Sequence, residues 1–142
     1  MPTLSDEGLA ELLGQPLIAK LATTSEDGDI RMTPLWFRAD PDGSIVFSTW
    51  KDTGAVTNIT RNPRCAALID TVEWPYYGAH FWGTASVEGP ENDEEEIAKM
   101  FAPYLVGKMD SREYARMLIS WGTRVYVRFR PERRKTWDFR RG

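Results

Sequence analysis

The sequence predicts a mainly β protein in one domain, organised as an antiparallel barrel of about six strands. Apolar segments of strand length follow one another along most of the chain, separated by turns rich in Gly, Asp and Pro. Helical patterns are inserted between these segments and do not alternate with them, which favours an antiparallel barrel over a parallel sheet. The length of 142 residues suits one domain with one core.

Strand patterns recur along the chain and are joined mostly by short turns. They cover residues 17–23, 30–39, 44–49, 64–71, 79–88, 123–130 and 135–139. An acidic glycine turn at 26–29 joins the first two segments, and a similar turn at 40–43 joins the second and third. Pro34 lies inside the second segment, and proline cannot donate to a sheet ladder. We therefore expect this strand to lie at an edge, to be bulged, or to open towards a ligand.

A few short helices are predicted between the strands. Ser5 can cap the first helix, which carries its leucines on one face. A second compact helix ends before Pro63, because proline disfavours helical backbone in the residue that precedes it. An acidic helix opens at Asn92 or Asp93, and a further one lies near residues 111–120.

Composition and motifs remove several classes of function. Hydrophobic residues make up 42% of the chain and charged residues 27%, as in soluble globular domains, and no apolar run approaches the roughly 18 residues of a membrane span. The net charge of −3 gives no overall attraction to nucleic acid or lipid, and a single cysteine and a single histidine disfavour disulfides and metal sites. The common nucleotide-binding and hydrolase signatures are absent. We expect a cytoplasmic protein that binds no metal, nucleic acid or membrane.

Several segments together resemble one known family. They are residues 31–37 (RMTPLWF), 45–49 (IVFST), 58–64 (NITRNPR), 80–85 (HFWGTA) and 130–133 (RPER). In this order and spacing the chain resembles the pyridoxamine 5'-phosphate oxidase-like split-barrel family, and most closely its flavin and deazaflavin oxidoreductase branch. The resemblance implies a six-stranded FMN-binding split β-barrel over residues 1–142. It also implies a homodimer that transfers hydride between FMN or the deazaflavin F-420 and a small organic substrate.

The resemblance implies a cofactor site along the second strand and at the loop before the second helix. The implied cofactor-binding residues are Arg31, Met32, Thr33, Pro34, Ser48, Thr49, Lys51, Thr53, Gly54 and Ala55. Arg31 would lie near phosphate or ribityl oxygens. Thr49, Lys51 and Thr53 would contact the phosphate, where free backbone amides and the helix dipole favour an anion.

The sequence departs from the family pattern at the phosphate. Family members usually carry a basic pair at the positions of Gly54 and Ala55, and neither residue can bind an anion by charge. One charge-assisted hydrogen bond contributes about 1.5–3 kcal/mol, so the substitution is expected to weaken the grip on the phosphate. Conversely, Ala55→Lys is expected to tighten cofactor binding.

An aromatic loop at residues 73–78 is too bulky to be a simple connector. We expect Trp74, Tyr76 and Tyr77 in this loop, together with His80 on the following strand, to line a substrate pocket. His80 shares a strand face with Trp82 by alternation, and a histidine in aromatic company is more often structural than catalytic.

Three hypotheses for function stay open on the sequence. The first is a hydride-transferring enzyme, whose cofactor supplies the chemistry, so that no acid–base dyad or nucleophile need be visible. The second is a carrier that sequesters a flavin, a deazaflavin or another aromatic ligand without turnover. The third is a scaffold without cofactor. In each case apolar residues on both faces of strands 17–23 and 64–71 predict a homodimer, because one barrel interior cannot bury them all.

Overall fold

The computed structural model describes residues 1–141, with the side chain of Arg141 excepted. Within these residues one sheet contains seven antiparallel strands. They are β1 (Ala19–Thr24), β2 (Ile30–Leu35), β3 (Phe37–Ala39), β4 (Ile45–Trp50), β5 (Arg64–Asp70), β6 (Tyr77–Glu88) and β7 (Arg124–Asp138). The helices are α1 (Asp6–Leu13), α2 (Gly54–Arg61), α3 (Glu94–Leu105) and α4 (Ser111–Ser120), and a 3₁₀ turn covers Phe139–Arg141. The predicted mainly β architecture is confirmed.

The two edges of the curled sheet are joined in the chain at Trp36, without pairing to each other. The strand order is β2-β1-β5-β6-β7-β4-β3, so the two edge strands, β2 and β3, are consecutive in the chain and separated only by Trp36. This break divides the single strand predicted for residues 30–39 into β2 and β3, and the structure has seven strands where about six were expected. Pro34 lies on the edge strand β2, where its missing N–H costs no ladder hydrogen bond.

A tyrosine from α3 fills the gap at the closure. The Phe37 N–H donates to the Tyr104 hydroxyl at 3.1 Å, and that hydroxyl donates to the Leu17 carbonyl at 2.7 Å. Burial raises the pKa of Tyr104 to about 12. The phenol therefore replaces a ladder bond that the sheet lacks at Trp36.

The last strand is longer than predicted. Residues 131–134 were expected to separate two strands, but β7 runs through them and pairs with both β6 and β4. The register shifts between Trp82 and Gly83, so that Glu132 is the extra residue of a bulge beside Pro131. A Cβ atom at Gly83 would lie 2.1 Å from the Arg130 carbonyl oxygen, and only glycine fits there.

Apolar side chains of the described residues form two clusters. The first fills the barrel and includes Leu21, Phe47, Ile69, Phe81 and Phe129. The second lies between α3 and α4 and includes Ile97, Met100, Phe101, Leu105 and Leu118. Trp36 and Trp50 join the helical cluster to the barrel wall. None of the described helices has the length and apolarity to cross a membrane.

Candidate functional site

The N-terminus of α2 presents two backbone amides without partners. Thr53 caps the helix, and its hydroxyl accepts a hydrogen bond from the Val56 N–H at 3.4 Å. The N–H groups of Gly54 and Ala55 have no acceptor within residues 1–141. The first amides of a helix point out of it and carry the positive end of the helix dipole. The geometry is therefore suited to an anion.

The guanidinium of Arg31 lies against this helix terminus. Arg31 pairs with Thr23 in the sheet and is exposed, and it makes no hydrogen bond or ion pair within the described residues. A Cβ atom added to Gly54 would lie 2.7 Å from Arg31 Cζ and 2.8 Å from Nε. Glycine at position 54 thus leaves the space that the arginine occupies. The Arg31 guanidinium therefore occupies the space in which a side chain at position 54 would begin.

The two faces of β2 differ. Arg31, Thr33 and Leu35 lie on the same sheet face as the buried side chains of β1, because they pair with Thr23, Leu21 and Ala19. The Thr33 Oγ1 atom is buried and has no hydrogen-bond partner within the described residues. An unpaired buried hydroxyl is costly and calls for a partner such as a ligand or ordered water.

The opposite face of β2 is apolar and exposed. Ile30 is 74% exposed, Met32 64%, and Ile18, just before β1, 48%. Pro34 lies on the same face of the strand. Exposed apolar side chains in such proximity indicate an interaction surface.

A cleft with a volume of about 380 Å³ opens between the barrel wall and the helix pair. Its polar lining includes Ser48, Thr49 and Arg124. Its apolar and aromatic lining includes Pro34, Trp36, Trp50, Phe101 and Tyr114. Three of the residues predicted to contact a cofactor, Pro34, Ser48 and Thr49, are therefore brought to one cavity.

Arg124 in this cleft was not singled out from the sequence. It is 3% exposed, and one of its terminal nitrogens donates to the Ser48 hydroxyl at 2.9 Å. Its Cζ atom lies 4.7 Å from the centre of the Trp50 ring. Burial lowers the pKa of Arg124 to about 10. A lone arginine at a strand start carries no sequence signal, because its burial depends on the helices that pack over it.

Lys51 and Ala55, two of the residues predicted to bind the cofactor, do not line the cleft. Lys51 is exposed and lines a separate groove with Thr57 and Thr123. Ala55 is 1% exposed as a whole residue, so its side chain does not face solvent. A lysine side chain at this position would start inside the protein, so Ala55→Lys would disturb the packing of α2 as well as add a charge.

The predicted substrate loop lies away from the cleft. Trp74 contacts Tyr76 edge to face at 5.5 Å and stacks on Phe139 at 6.0 Å. The Tyr77 hydroxyl accepts from Gln15 at 2.8 Å, and Arg140 lies 3.6 Å above the Tyr77 ring. Tyr77 begins β6, whereas the cleft lies beyond the other end of that strand. Within one chain these aromatic residues do not join the cleft.

His80 lies on the outer sheet face in line with Pro34. The register aligns Pro34, Lys20, Leu68 and His80 across four neighbouring strands, a separation of roughly 14 Å at about 4.8 Å per strand. His80 stacks on Trp82 with ring centres 4.0 Å apart. Burial, and then the charge of Arg133, lowers the pKa of His80. This lowering favours the neutral imidazole.

Comparison with known proteins decides the family. A family model described as pyridoxamine 5'-phosphate oxidase matches residues 5–138. The chain belongs to that family. No curated protein matches the chain. The barrel with an edge closure at Trp36 is thus the version of the pyridoxamine 5'-phosphate oxidase fold that this sequence adopts.

Solved structures agree with this assignment. The conserved hypothetical protein Rv2991 from Mycobacterium tuberculosis is 25% identical, with a TM-score of 0.74 over 96% of this chain and 86% of that chain. An F420 reductase is 23% identical, with a TM-score of 0.70 over 88% and 94%. General stress protein 26 from Bacillus anthracis is 16% identical, with a TM-score of 0.66 over 92% and 91%. The last two likenesses show a common fold alone.

The residues present fit the flavin-type cofactors that the pyridoxamine 5'-phosphate oxidase family binds. The free amides of Gly54 and Ala55, with the guanidinium of Arg31, form a donor set for a phosphate. Positions 54 and 55 carry no charge, and the Arg31 guanidinium of β2 lies beside Gly54.

Proposed function

We propose that the protein is a homodimeric oxidoreductase that binds FMN or the deazaflavin F-420 and exchanges hydride with a small organic substrate. One observation carries the proposal: the unpaired Arg31 guanidinium lies against the N-terminus of α2. A cation beside the positive end of a helix dipole is unfavourable unless an anion binds between them. A cofactor phosphate supplies that anion.

The chain's own residues would bind and orient the cofactor. Arg31 and the Gly54 and Ala55 amides would bind its phosphate, and Thr53 keeps the amides in place by capping α2. Pro34 at the cleft mouth would border the ring system, with Ser48 and Thr49 opposite it. The bound cofactor would supply the hydride chemistry. The cleft walls would exclude water from the substrate beside it.

A second copy of the chain would complete the site. An exposed apolar surface is formed by Ile30 and Met32 of β2 and by Ile18, which precedes β1. This surface continues to Pro34 at the mouth of the cleft. Covering this face would bury apolar surface and close one side of the cleft. His80 and Trp82 lie on the same outer face of the sheet and would adjoin the subunit boundary. Light scattering is expected to give twice 16.2 kDa, and a monomer at micromolar concentration would contradict the dimer.

The phosphate grip is tested by titrating the protein with FMN and with F-420 and following fluorescence. Arg31→Gln is expected to weaken the binding by roughly 10- to 150-fold, the equivalent of one lost charge-assisted hydrogen bond of about 1.5–3 kcal/mol. Gly54→Ala is expected to weaken it too, because its Cβ would displace the guanidinium. The effect of Arg31→Gln should shrink as salt is raised.

Two matched variants serve as controls for this titration. Arg61→Gln removes the same charge at the other end of α2, and Gly14→Ala adds a Cβ at a helix end remote from the site. Both should leave the affinity within about twofold of the wild type. Equal affinities of Arg31→Gln and the wild type, with both folded, would place the phosphate elsewhere. Binding of a cofactor without turnover by any reductant or substrate would favour the carrier.

A further inference from the structure

Arg124 is a buried cation without an anionic partner. The residue is 3% exposed, and its Nε atom is buried with no hydrogen-bond partner in the described part of the chain. The described residues provide no carboxylate within ion-pair distance of it, and its one side-chain acceptor is the Ser48 hydroxyl. Transferring a charged arginine from water into the protein interior costs several kcal/mol unless a charged partner compensates for the loss of hydration. A compensating anion is therefore missing from the protein itself.

The walls of the cleft specify what kind of anion would fit. Trp36, Trp50, Phe101 and Tyr114 surround the cavity, and a volume of about 380 Å³ is at the small end of ligand sites. Flat aromatic walls favour a flat aromatic ligand. The guanidinium fork matches a carboxylate by two parallel hydrogen bonds, and Arg124, whose Nε has no partner among the described residues, lines the cleft.

We infer that the cleft binds a planar aromatic acid and that Arg124 binds its carboxylate. In the proposed oxidoreductase this acid is the substrate, and its role as substrate rests on the proposed function. The binding itself depends only on the cleft. Ser48 orients the guanidinium from one side, while Trp50 lies against its face. Arg124 is thus the residue that selects an acid over a neutral molecule of the same shape.

The test compares acids with their amides on the full chain, without added cofactor. Benzoate, cinnamate and 2-naphthoate are each paired with the corresponding amide, and affinities are measured by calorimetry and by shifts of the tryptophan indole N–H resonances. The wild type is expected to bind each acid at least about 10-fold more tightly than its amide. Arg124→Met should abolish this preference and leave the amide affinity within about twofold. Arg124→Lys should retain part of it, because an ammonium provides charge without the fork.

Arg130→Met is the matched control. Arg130 lies on the same strand and likewise donates to one serine hydroxyl, Ser86, at 3.0 Å, but it is exposed and outside the cleft. This variant should keep the full preference for acids. Circular dichroism and thermal melts establish that each variant is folded, and Arg124→Lys carries the test if the methionine variant does not fold.

Several results would overturn the inference. One is the absence of any preference for acids across the three pairs in the wild type. Another is a preference that persists in Arg124→Met. A third is a loss of FMN or F-420 affinity in Arg124→Met with acid binding unchanged, which would assign Arg124 to the cofactor. Failure of the Arg31 titration leaves this experiment unaffected, because no cofactor is present, so the two proposals fail separately.

Discussion

Two arginines on β7, Arg124 and Arg128, have opposite surroundings although they lie on the same face of the strand. Arg128 donates to Glu88 at 2.9 Å, to Asp40 at 2.9 Å and to the Ser44 hydroxyl at 2.7 Å. Arg124 has only the Ser48 hydroxyl. The hydrogen bonds that Arg128 donates to Glu88 and Asp40 raise the pKa of Arg128, whereas burial lowers that of Arg124. The comparison teaches that a strand arginine indicates a ligand only when its donors lack partners.

The largest expected effect concerns Arg128. Arg128→Met would leave the carboxylates of Asp40 and Glu88 without their shared partner. We expect the free energy of unfolding to fall by about 2–3 kcal/mol, below the 3–5 kcal/mol of a fully buried pair because Glu88 is partly solvated. Urea unfolding measures this. Arg130→Met, with its single serine partner, is the control and should change stability by less than about 0.5 kcal/mol. A similar small change in Arg128→Met would remove the contrast between the two regions.

Acid should reveal the same network with a smaller effect. The hydrogen bond from Arg38, and then that from Arg128, lowers the pKa of Asp40 from its usual value of 3.8. A lowered folded-state pKa contributes stability above the unfolded value, and this stability is lost as the pH falls through the folded value. The stability of the wild type should therefore decrease more steeply below about pH 4 than that of Asp40→Asn.

Unfolding by urea at pH 3 to 7 checks this expectation for Asp40. Asp27→Asn, in the exposed turn between β1 and β2, is the matched control and should follow the wild type. Parallel pH profiles for the wild type and Asp40→Asn would show that Asp40 does not support the fold through its charge.

The smallest expected effect on stability is that of Arg124→Met. The folded-state pKa of Arg124, about 10, lies below its usual value of 12.5, so burial disfavours the charged form and the charge costs stability at neutral pH. The melting temperature should equal or exceed that of the wild type. If calorimetry gave a free energy of unfolding more than about 1 kcal/mol below that of the wild type, the guanidinium would stabilise the fold through its contact with Trp50.

Much of the fold followed from local patterns. Turns at 26–29 and 40–43, the edge position of Pro34 and the helix before Pro63 depend on neighbouring residues, and the structure contains each of them. The break at Trp36 and the continuous strand β7 could not be predicted from local sequence patterns. Trp36 leaves the sheet because Phe101, Tyr104 and Tyr114 pack around its ring, a contact made across more than 60 residues of chain.

The candidate site was only partly accessible from the sequence. The segment from Ser48 to Ala55 is recognisable as the end of a strand followed by the start of a helix, and Arg31 is recognisable from its strand. That the Arg31 guanidinium occupies the space left by Gly54 is a three-dimensional fact. Arg124 was missed for the same reason, because its burial comes from α3 and α4 and leaves no pattern around position 124.

The helix pair α3 and α4 contributes walls to the cleft but no strand to the sheet. Phe101, Tyr114 and Leu118 reach the cavity from this insert between β6 and β7, whereas Arg31 and Gly54 belong to the barrel side. Substitutions in α3 and α4 can therefore reshape the cavity without changing Arg31 or the N-terminus of α2. In the proposed oxidoreductase, the preference for a substrate and the binding of the cofactor phosphate would then change independently of each other.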